Sequence, residues 1–259
     1  MAANNRSDPS QVQAGQVPRL PKPSHVDPSA TDSTADAQAL ASNRPTLCRA
    51  FAHNRFLIVP DALPRFLVEN WRQQALRTIQ HARAIVRHDG AHDLVYRVVT
   101  GDVIRDHWPE LFAFYQNEQT VGWVREVTGD AGIGPSAQIL SAVNLNIMDS
   151  EEAVYRWHFD AVPYTLLIYL TDTAPEDGGA LELVPGCAPH EVPDMSVAQI
   201  VRHFPTAGTV VLMDGTRCYH RVGPMLRPTL RLSIPLVYSA NNAAQRPAGL
   251  DSYLYEQPL

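Results

Sequence analysis

The chain has 259 residues, 45% of them hydrophobic, and a formal net charge of −6. That apolar content sustains a globular core, and the length fits one domain with an extension, or at most two. Overall acidity argues against nucleic acid as a partner, because that binding needs clustered Lys and Arg; a small-molecule partner is the expectation. Cys48, Cys187 and Cys218 are unevenly spaced, with no CxxC. They read as reduced thiols of a cytoplasmic protein, not as a disulfide framework. Every apolar run is shorter than a membrane span, and the first residues lack the apolar core of a signal peptide, so no membrane partner is expected. Nothing in the sequence reports the oligomeric state.

Residues 1–45 are rich in Pro, Ser, Asp, Gln and Ala. Pro18, Pro21, Pro23 and Pro28 interrupt any regular element, and the segment has too little apolar surface to offset its ordering entropy, so a disordered extension is expected. Residues 46–259 are then the folded domain. Its helical flank covers about 60–130, and a β-rich core about 137–240. Arg55 to Pro60 reads as a strand. Asp61 reads as the cap of a helix from about Pro64 to Ala84, with Leu67, Trp71, Leu76 and Ile79 as its buried stripe. His81, His88 and His92 follow, and read as a polar helix end and loop, since no carboxylate or Cys joins them at ligand spacing. Leu94 to Val99 reads as a strand whose Tyr96 and Arg97 face either solvent or the interior. Pro109 to Thr128 reads as a second helix, ended by Gly129, Gly132, Gly134 and Pro135.

From Ala137 onward the pattern is all strand. Ile139 to Ile147 is apolar apart from Asn144 and Asn146, which share a strand face. Val154 to Ala161, Tyr164 to Leu170, Leu181 to Val184, Thr209 to Met213, Cys218 to Val222 and Leu230 to Tyr238 complete the set. A long connection, Gly186 to Pro205, carries His190 and His203, both read as surface residues. Beyond Ala240 the tail is polar, with Tyr253 and Tyr255 as candidate docking residues.

The chemistry-bearing residues lie in these strands. His158 and Asp160 are two apart, so on a strand they face the same way, with Phe159 turned from them. His220 can reach the same point from another strand. Two histidines and a carboxylate on one face of a metal, with positions left open, suit a non-haem Fe(II) centre. A lone His-x-Asp is weak support, since such pairs arise by chance. Arg231 and Ser233, downstream on one strand face, strengthen it, because a guanidinium beside a hydroxyl is a receptor for a carboxylate. Arg221 and Arg227 are the competing cations. Arg221 follows His220 directly and so faces away, and Arg227 precedes Pro228 in a turn.

These motifs, together with Pro175 to Gly186, resemble the Fe(II)/2-oxoglutarate-dependent oxygenases over roughly residues 50–240. Within that superfamily they are most similar to bacterial enzymes that hydroxylate or chlorinate free amino acids. The resemblance implies a mainly β fold with flanking α-helices, a double-stranded β-helix of the jelly-roll, cupin-like type. It implies Fe(II) held by His158, Asp160 and His220, 2-oxoglutarate held by the metal and by Arg231 with Ser233, and O₂ at the last open position. Asn144 and Asn146 stand where polar residues of the family often hold the cosubstrate, and a core amide is the other reading of each. Related chlorinases have a small residue at the position of Asp160, so hydroxylation of a C–H, with release of succinate and CO₂, is the expected reaction. Desaturation or cyclisation from the same chemistry, a peptide or protein side chain as substrate, a zinc hydrolase and a non-enzymatic β-roll are the alternatives. An amino acid or natural-product intermediate is the expected substrate.

Overall fold

A computed structural model describes residues 44–88, 93–240 and 250–255. It opens with helix α1 (Arg44–Asn54) and strand β1 (Phe56–Val59). Helix α2 (Arg65–Thr78) leads through a 3₁₀ turn into the hairpin β2 (Arg83–His88) and β3 (Asp93–Val99). Three helices follow: α3 (Gly101–His107), α4 (Pro109–Gln116) and α5 (Glu118–Thr128). Then come β4 (Ile133–Pro135), the short α6 (Ile139–Ala142), β5 (Leu145–Met148), β6 (Val154–His158) and β7 (Tyr164–Tyr169). The remaining elements are β8 (Leu181–Val184), β9 (Val201–His203), β10 (Val210–Asp214), β11 (Tyr219–Val222), β12 (Arg231–Ala240) and α7 (Leu250–Tyr255).

The strands form one antiparallel hydrogen-bonded path, β1-β10-β7-β12-β5-β3-β6-β11-β8-β9, with β2 beside β3 and β4 beside β12. The path curls into a half-barrel of the jelly-roll, cupin-like type. The curl brings the end of β6 back onto β10 and β7: the Asp160 N–H donates to the Gly215 carbonyl at 2.8 Å, and Gly215 N–H donates to Pro163 at 2.7 Å.

The period-two alternation of strands sorts side chains between two compartments. On β12, Leu232, Ile234 and Leu236 enter the main apolar cluster with Trp71, Trp108 and Phe114 of the helical flank. Arg231, Ser233, Pro235 and Val237 line a cavity on the other face. On β7, Leu166 and Ile168 join the core while Thr165, Leu167 and Tyr169 line the cavity. On β5, Leu145 and Ile147 face the core, and Asn146 and Met148 the cavity. The helices thus close one side of the curled sheet and leave the concave side as the site.

Several boundaries differ from the sequence reading. Helix α2 stops at Thr78, short of the expected Ala84, and Arg83–His88 pairs with β3 where a helix end and loop were expected. Ala84, Ile85 and Val86 suit a pleated half-buried surface, and cross-strand pairing outweighs their helical pattern. Asp61 does not cap α2: Pro64 occupies the N-cap and no side chain bonds the first turn. Leu76 is exposed, while Leu67 and Trp71 are buried. The second helix is broken at Asn117, whose side chain accepts from Gln119 N–H at 2.8 Å and starts α5. Ile139–Ala142 is a helical turn, so the strand before the metal pair begins only at Leu145. The connection Gly186 to Pro205 contains β9. Residues 1–43, His92 and the Tyr253 side chain lie outside the described residues. No helix among the described residues is long and apolar enough to cross a membrane.

Trp71 anchors the flank. Its ring meets Trp108 edge-on at 6.2 Å and Phe114 at 4.9 Å, and it is 2% exposed. Trp71→Ala removes this aromatic contact and leaves a cavity, so it should cost about 3–5 kcal/mol of unfolding free energy. Phe66→Ala, at an exposed position of the same helix, should stay within about 0.5 kcal/mol. Urea unfolding of the two variants side by side checks both.

Candidate metal centre and its cavity

His158, Asp160 and His220 converge. One ligand atom from each lies within 4.8 Å of the other two, and among the described residues this is the group of His, Cys, Asp and Glu that could hold a metal ion. His158 Nε2 is 3.5 Å and His220 Nε2 3.7 Å from Asp160 Oδ1. The two histidines face each other directly across the β6–β11 pair.

Backbone carbonyls orient both imidazoles. His158 Nδ1 lies 2.8 Å from the Arg156 carbonyl oxygen, and His220 Nδ1 2.9 Å from that of Cys218. A carbonyl only accepts, so each Nδ1 carries the proton and donates. Each Nε2 then presents its lone pair to the shared point, the usual way that an outer hydrogen bond fixes a ligating tautomer. Burial, with His158 adding to it, pushes the His220 pKa down to about 4 against the pull of Asp160, so this imidazole is neutral at pH 7 and able to ligate. Burial raises the Asp160 carboxyl, but His220, His158 and the Thr165 hydroxyl outweigh it and hold it below the usual carboxylate range. Burial pushes the neighbouring Cys218 thiol well up, so it stays protonated and is no competing ligand.

Asp160 is seated from behind by residues that sequence reasoning missed. Thr165 Oγ1 donates to Asp160 Oδ2 at 2.8 Å, which leaves Oδ1 directed at the histidines. Gly215 backs the same carboxylate so closely that a Cβ there would sit 2.2 Å from Oδ2. The lack of a side chain at Gly215 is what lets the carboxylate in.

The triad opens into a cavity of about 780 Å³ that also receives Arg231, Ser233, Asn144 and Asn146. Arg231 is 2% exposed, with Nη1 3.4 Å from Ser233 Oγ and 3.6 Å from the Met148 sulfur. Its Nε and Nη2 have no hydrogen-bond partner. Its guanidinium carbon lies 5.2 Å from the centre of the Tyr169 ring. The charge of Arg231 offsets part of what burial does to the Tyr169 phenol, yet the Tyr169 hydroxyl itself completes no hydrogen bond. Burial lowers the Arg231 pKa, with Tyr169 opposing it; a guanidinium nevertheless stays charged in proteins. Gly179, at φ +64°, lets the chain pass over this side chain, since its Cβ would meet Arg231 Cδ at 3.2 Å and Met225 Sδ at 2.4 Å.

Neither competing cation, Arg221 or Arg227, lines the cavity. Arg221 Nε donates to Glu182 at 2.5 Å and its guanidinium lies over Trp157 at 5.0 Å, away from the cavity as its register requires. Arg227 is exposed in a turn. Asn144 is buried, and in the amide orientation that satisfies both its atoms it donates to the Val143 and Leu140 carbonyls and accepts from the Tyr255 hydroxyl at 3.0 Å. Its first role is therefore structural, tying α7 to the cavity wall. Asn146 pairs in register with Ser233 and faces the cavity. Tyr96 faces the cavity, whereas Arg97 turns outward to Asp149 at 2.7 Å. His190 is exposed but stands at the cavity mouth beside Phe159, and His203 is half-buried on β9.

Comparison with known proteins adds to this geometry. Three solved structures cover most of the chain. The non-haem alpha ketoglutarate dependent epimerase SnoN from nogalamycin biosynthesis is 19% identical, with a TM-score of 0.63 over 81% of this chain and 87% of that one. The carbocyclase SnoK from the same biosynthesis is 17% identical, with a TM-score of 0.63 over 82% and 90%. EctD from S. alaskensis with bound Fe is 18% identical, with a TM-score of 0.58 over 87% and 84%. At these identities the likeness establishes the fold. No curated protein matches the sequence. The family model of Halogenase D matches residues 40–253, a stretch that contains every strand of the half-barrel, the triad and Arg231. A match of that extent makes the chain a member of the Halogenase D family, within the Fe(II)/2-oxoglutarate-dependent oxygenases.

Proposed function

We propose that this Fe(II)/2-oxoglutarate-dependent oxygenase hydroxylates a C–H bond of a small molecule, an amino acid or natural-product intermediate, with residues 46–259 as its catalytic domain. In this reading Fe(II) is held by His158, Asp160 and His220, and 2-oxoglutarate by Arg231 with Ser233 and Tyr169. Its free cysteines fit a reducing, cytoplasmic setting.

The observation that carries the reading is Arg231. A buried cation with two unpaired nitrogens is costly unless an anion arrives, and it faces the same cavity as the triad. The dicarboxylate 2-oxoglutarate can chelate a metal at one end and meet a guanidinium fork at the other. The donor set fits as well: two neutral imidazoles and one carboxylate supply a mixed N/O face suited to Fe(II) and leave room for the cosubstrate and O₂.

The chain's own residues do the following. The Arg156 and Cys218 carbonyls fix the two Nε2 lone pairs on one point. Thr165 occupies Asp160 Oδ2, so the carboxylate offers one oxygen to the metal. Arg231, with Ser233 beside its Nη1 and the Tyr169 hydroxyl nearby, neutralises and orients the far carboxylate of the cosubstrate. Apolar walls exclude bulk water, which strengthens each of these contacts. When bound, iron, 2-oxoglutarate and O₂ supply the oxidant that replaces a substrate hydrogen with hydroxyl, releasing succinate and CO₂. The carboxylate of Asp160 favours hydroxylation over chlorination, because it fills the coordination position that a halide needs.

The direct test is titration of anaerobic iron-loaded protein with 2-oxoglutarate, followed by succinate release on exposure to O₂; absence of both sinks the reading. Arg231→Ala should leave iron bound and weaken 2-oxoglutarate by about 2–5 kcal/mol, read as a steep rise in its KM. The same defect in Arg227→Ala instead would move the anchor. Gly215→Ala should push the Asp160 carboxylate off its seat, and Thr165→Val should release Oδ2. Each should lower iron affinity about 10–100-fold, measured by competition with a chelator. Asp160→Gly should lose most hydroxylation and open a position for chloride, which product mass spectrometry at high chloride would show. Unchanged hydroxylation in that variant would remove Asp160 from the ligand set.

A further inference from the structure

Part of the cavity wall is a second apolar cluster, in which Leu94, Tyr96, Tyr155, Leu254 and Tyr255 pack together. Tyr155 links this wall to the triad. Strand β6 carries one extra residue opposite β11: His220 pairs with His158, but Val222 pairs with Tyr155. A bulge of this kind re-aims a side chain. Here it puts Tyr155 on the cavity side with His158, their ring centres 4.5 Å apart, and the Tyr96 ring lies 5.3 Å beyond Tyr155. Burial, with Tyr155 and Tyr255 adding to it, pushes the Tyr96 phenol well up, so it stays neutral. The wall therefore presents aromatic carbon and an uncharged hydroxyl. Arg156, which follows Tyr155, is ion-paired with Asp93 and so engaged within the protein.

Most of this wall is sheet. Leu94 and Tyr96 on β3 and Tyr155 on β6 belong to hydrogen-bonded ladders that fix their backbone. Helix α7 is the exception, six residues that rest on α6 and β2. A helix so short has little stability of its own, so side chains hold it in place. Leu254 and Tyr255 enter the cluster, and the Tyr255 hydroxyl donates to the Asn144 side-chain oxygen at 3.0 Å. Tyr255 is buried from bulk solvent yet lines the cavity. Its ring is thus a surface that α7 turns toward an occupant.

A cavity of about 780 Å³ with an aromatic wall has the size and lining of small-molecule sites. A body lying on Tyr155 is beside His158, and hence beside the triad. We propose that this wall is the substrate-specificity surface: it receives an apolar, aromatic-sized body of the substrate, and Tyr255 sets how far that body can extend. This rests on the hydroxylase reading and deepens it, since it assigns the substrate part of the same cavity.

The test uses the full chain loaded anaerobically with Fe(II) and saturating 2-oxoglutarate. Calorimetry compares 2-naphthylmethanol and 4-biphenylmethanol, neutral aromatic probes that differ chiefly in length, on the wild type and on variants at Tyr255. The wild-type protein should bind the naphthyl probe. Tyr255→Ala removes the ring that limits length, and should raise the affinity for the biphenyl probe relative to the naphthyl probe about tenfold. Tyr255→Leu keeps an apolar contact for α7 and should shift the ratio the same way by less, which keeps the test open if the alanine variant does not fold. Tyr255→Phe keeps the ring and loses only the bond to Asn144, so it should keep the wild-type ratio. An unchanged ratio in the folded shortened variants, or failure of the wild type to bind the naphthyl probe, would overturn the proposal. So would an equal shift in Tyr255→Phe, which would make Tyr255 a latch for α7 and not a limit on length. The visible charge-transfer band of the iron–cosubstrate complex is followed in every sample. Its absence from the wild-type protein would instead overturn the hydroxylase reading.

Discussion

The site depends on one antiparallel pair. His158 and His220 sit opposite each other where β6 meets β11, so the fold, not a flexible loop, sets their separation. Asp160, which completes the group, lies two residues beyond the end of β6, and elements far along the same sheet hold it: the Gly215 carbonyl just after β10 accepts from its backbone N–H, and the Thr165 hydroxyl at the start of β7 donates to its carboxylate. The triad can thus form only when the sheet has curled on itself. The geometry of the proposed metal site is therefore a property of closure, since Asp160 is placed by its contacts to Gly215 and Thr165.

The strands and the convergence of His158, Asp160 and His220 were legible in the sequence for the same reason. Period-two alternation places His158, Arg231 and Ser233 on predictable faces, and the structure keeps those faces: Arg231 points inward and Arg221 outward to Glu182. Less legible were features set by partners distant in the chain. Nothing local says that the helix stops at Thr78 and that Arg83–His88 forms a strand against β3. Thr165 and Tyr169 looked like ordinary members of a buried strand, although both fall on the face opposite Leu166 and Ile168. That shared face was the available signal. No local pattern marks Gly215, and only the approach of Asp160 reveals why a glycine stands there. Asn144 carries a contact that no local pattern announces: it lines the cavity, and in the amide orientation that satisfies both its atoms it accepts from the Tyr255 hydroxyl.

The family carries the description Halogenase D, and one residue separates that name from the chemistry argued here. Asp160 is not a loosely tolerated carboxylate. It is hydrogen-bonded through its own backbone, accepts from Thr165, and fills space that a glycine was required to vacate. A surrounding built to this degree around one side chain supports the ligand role proposed for Asp160.

The unpaired guanidinium of Arg231 has a consequence beyond catalysis. A charge sealed inside the barrel without its counter-ion is a standing debit on the native state, and any small dicarboxylate that settles it acts as a folding ligand. By mass action, a cosubstrate at about a hundred times its dissociation constant adds roughly 2.7 kcal/mol to the stability of the fold. On the proposed assignment of Arg231 to the cosubstrate, the lifetime of this protein is tied to the supply of a central metabolite: when 2-oxoglutarate runs low, the chain becomes easier to unfold and to digest at the same moment as it falls idle.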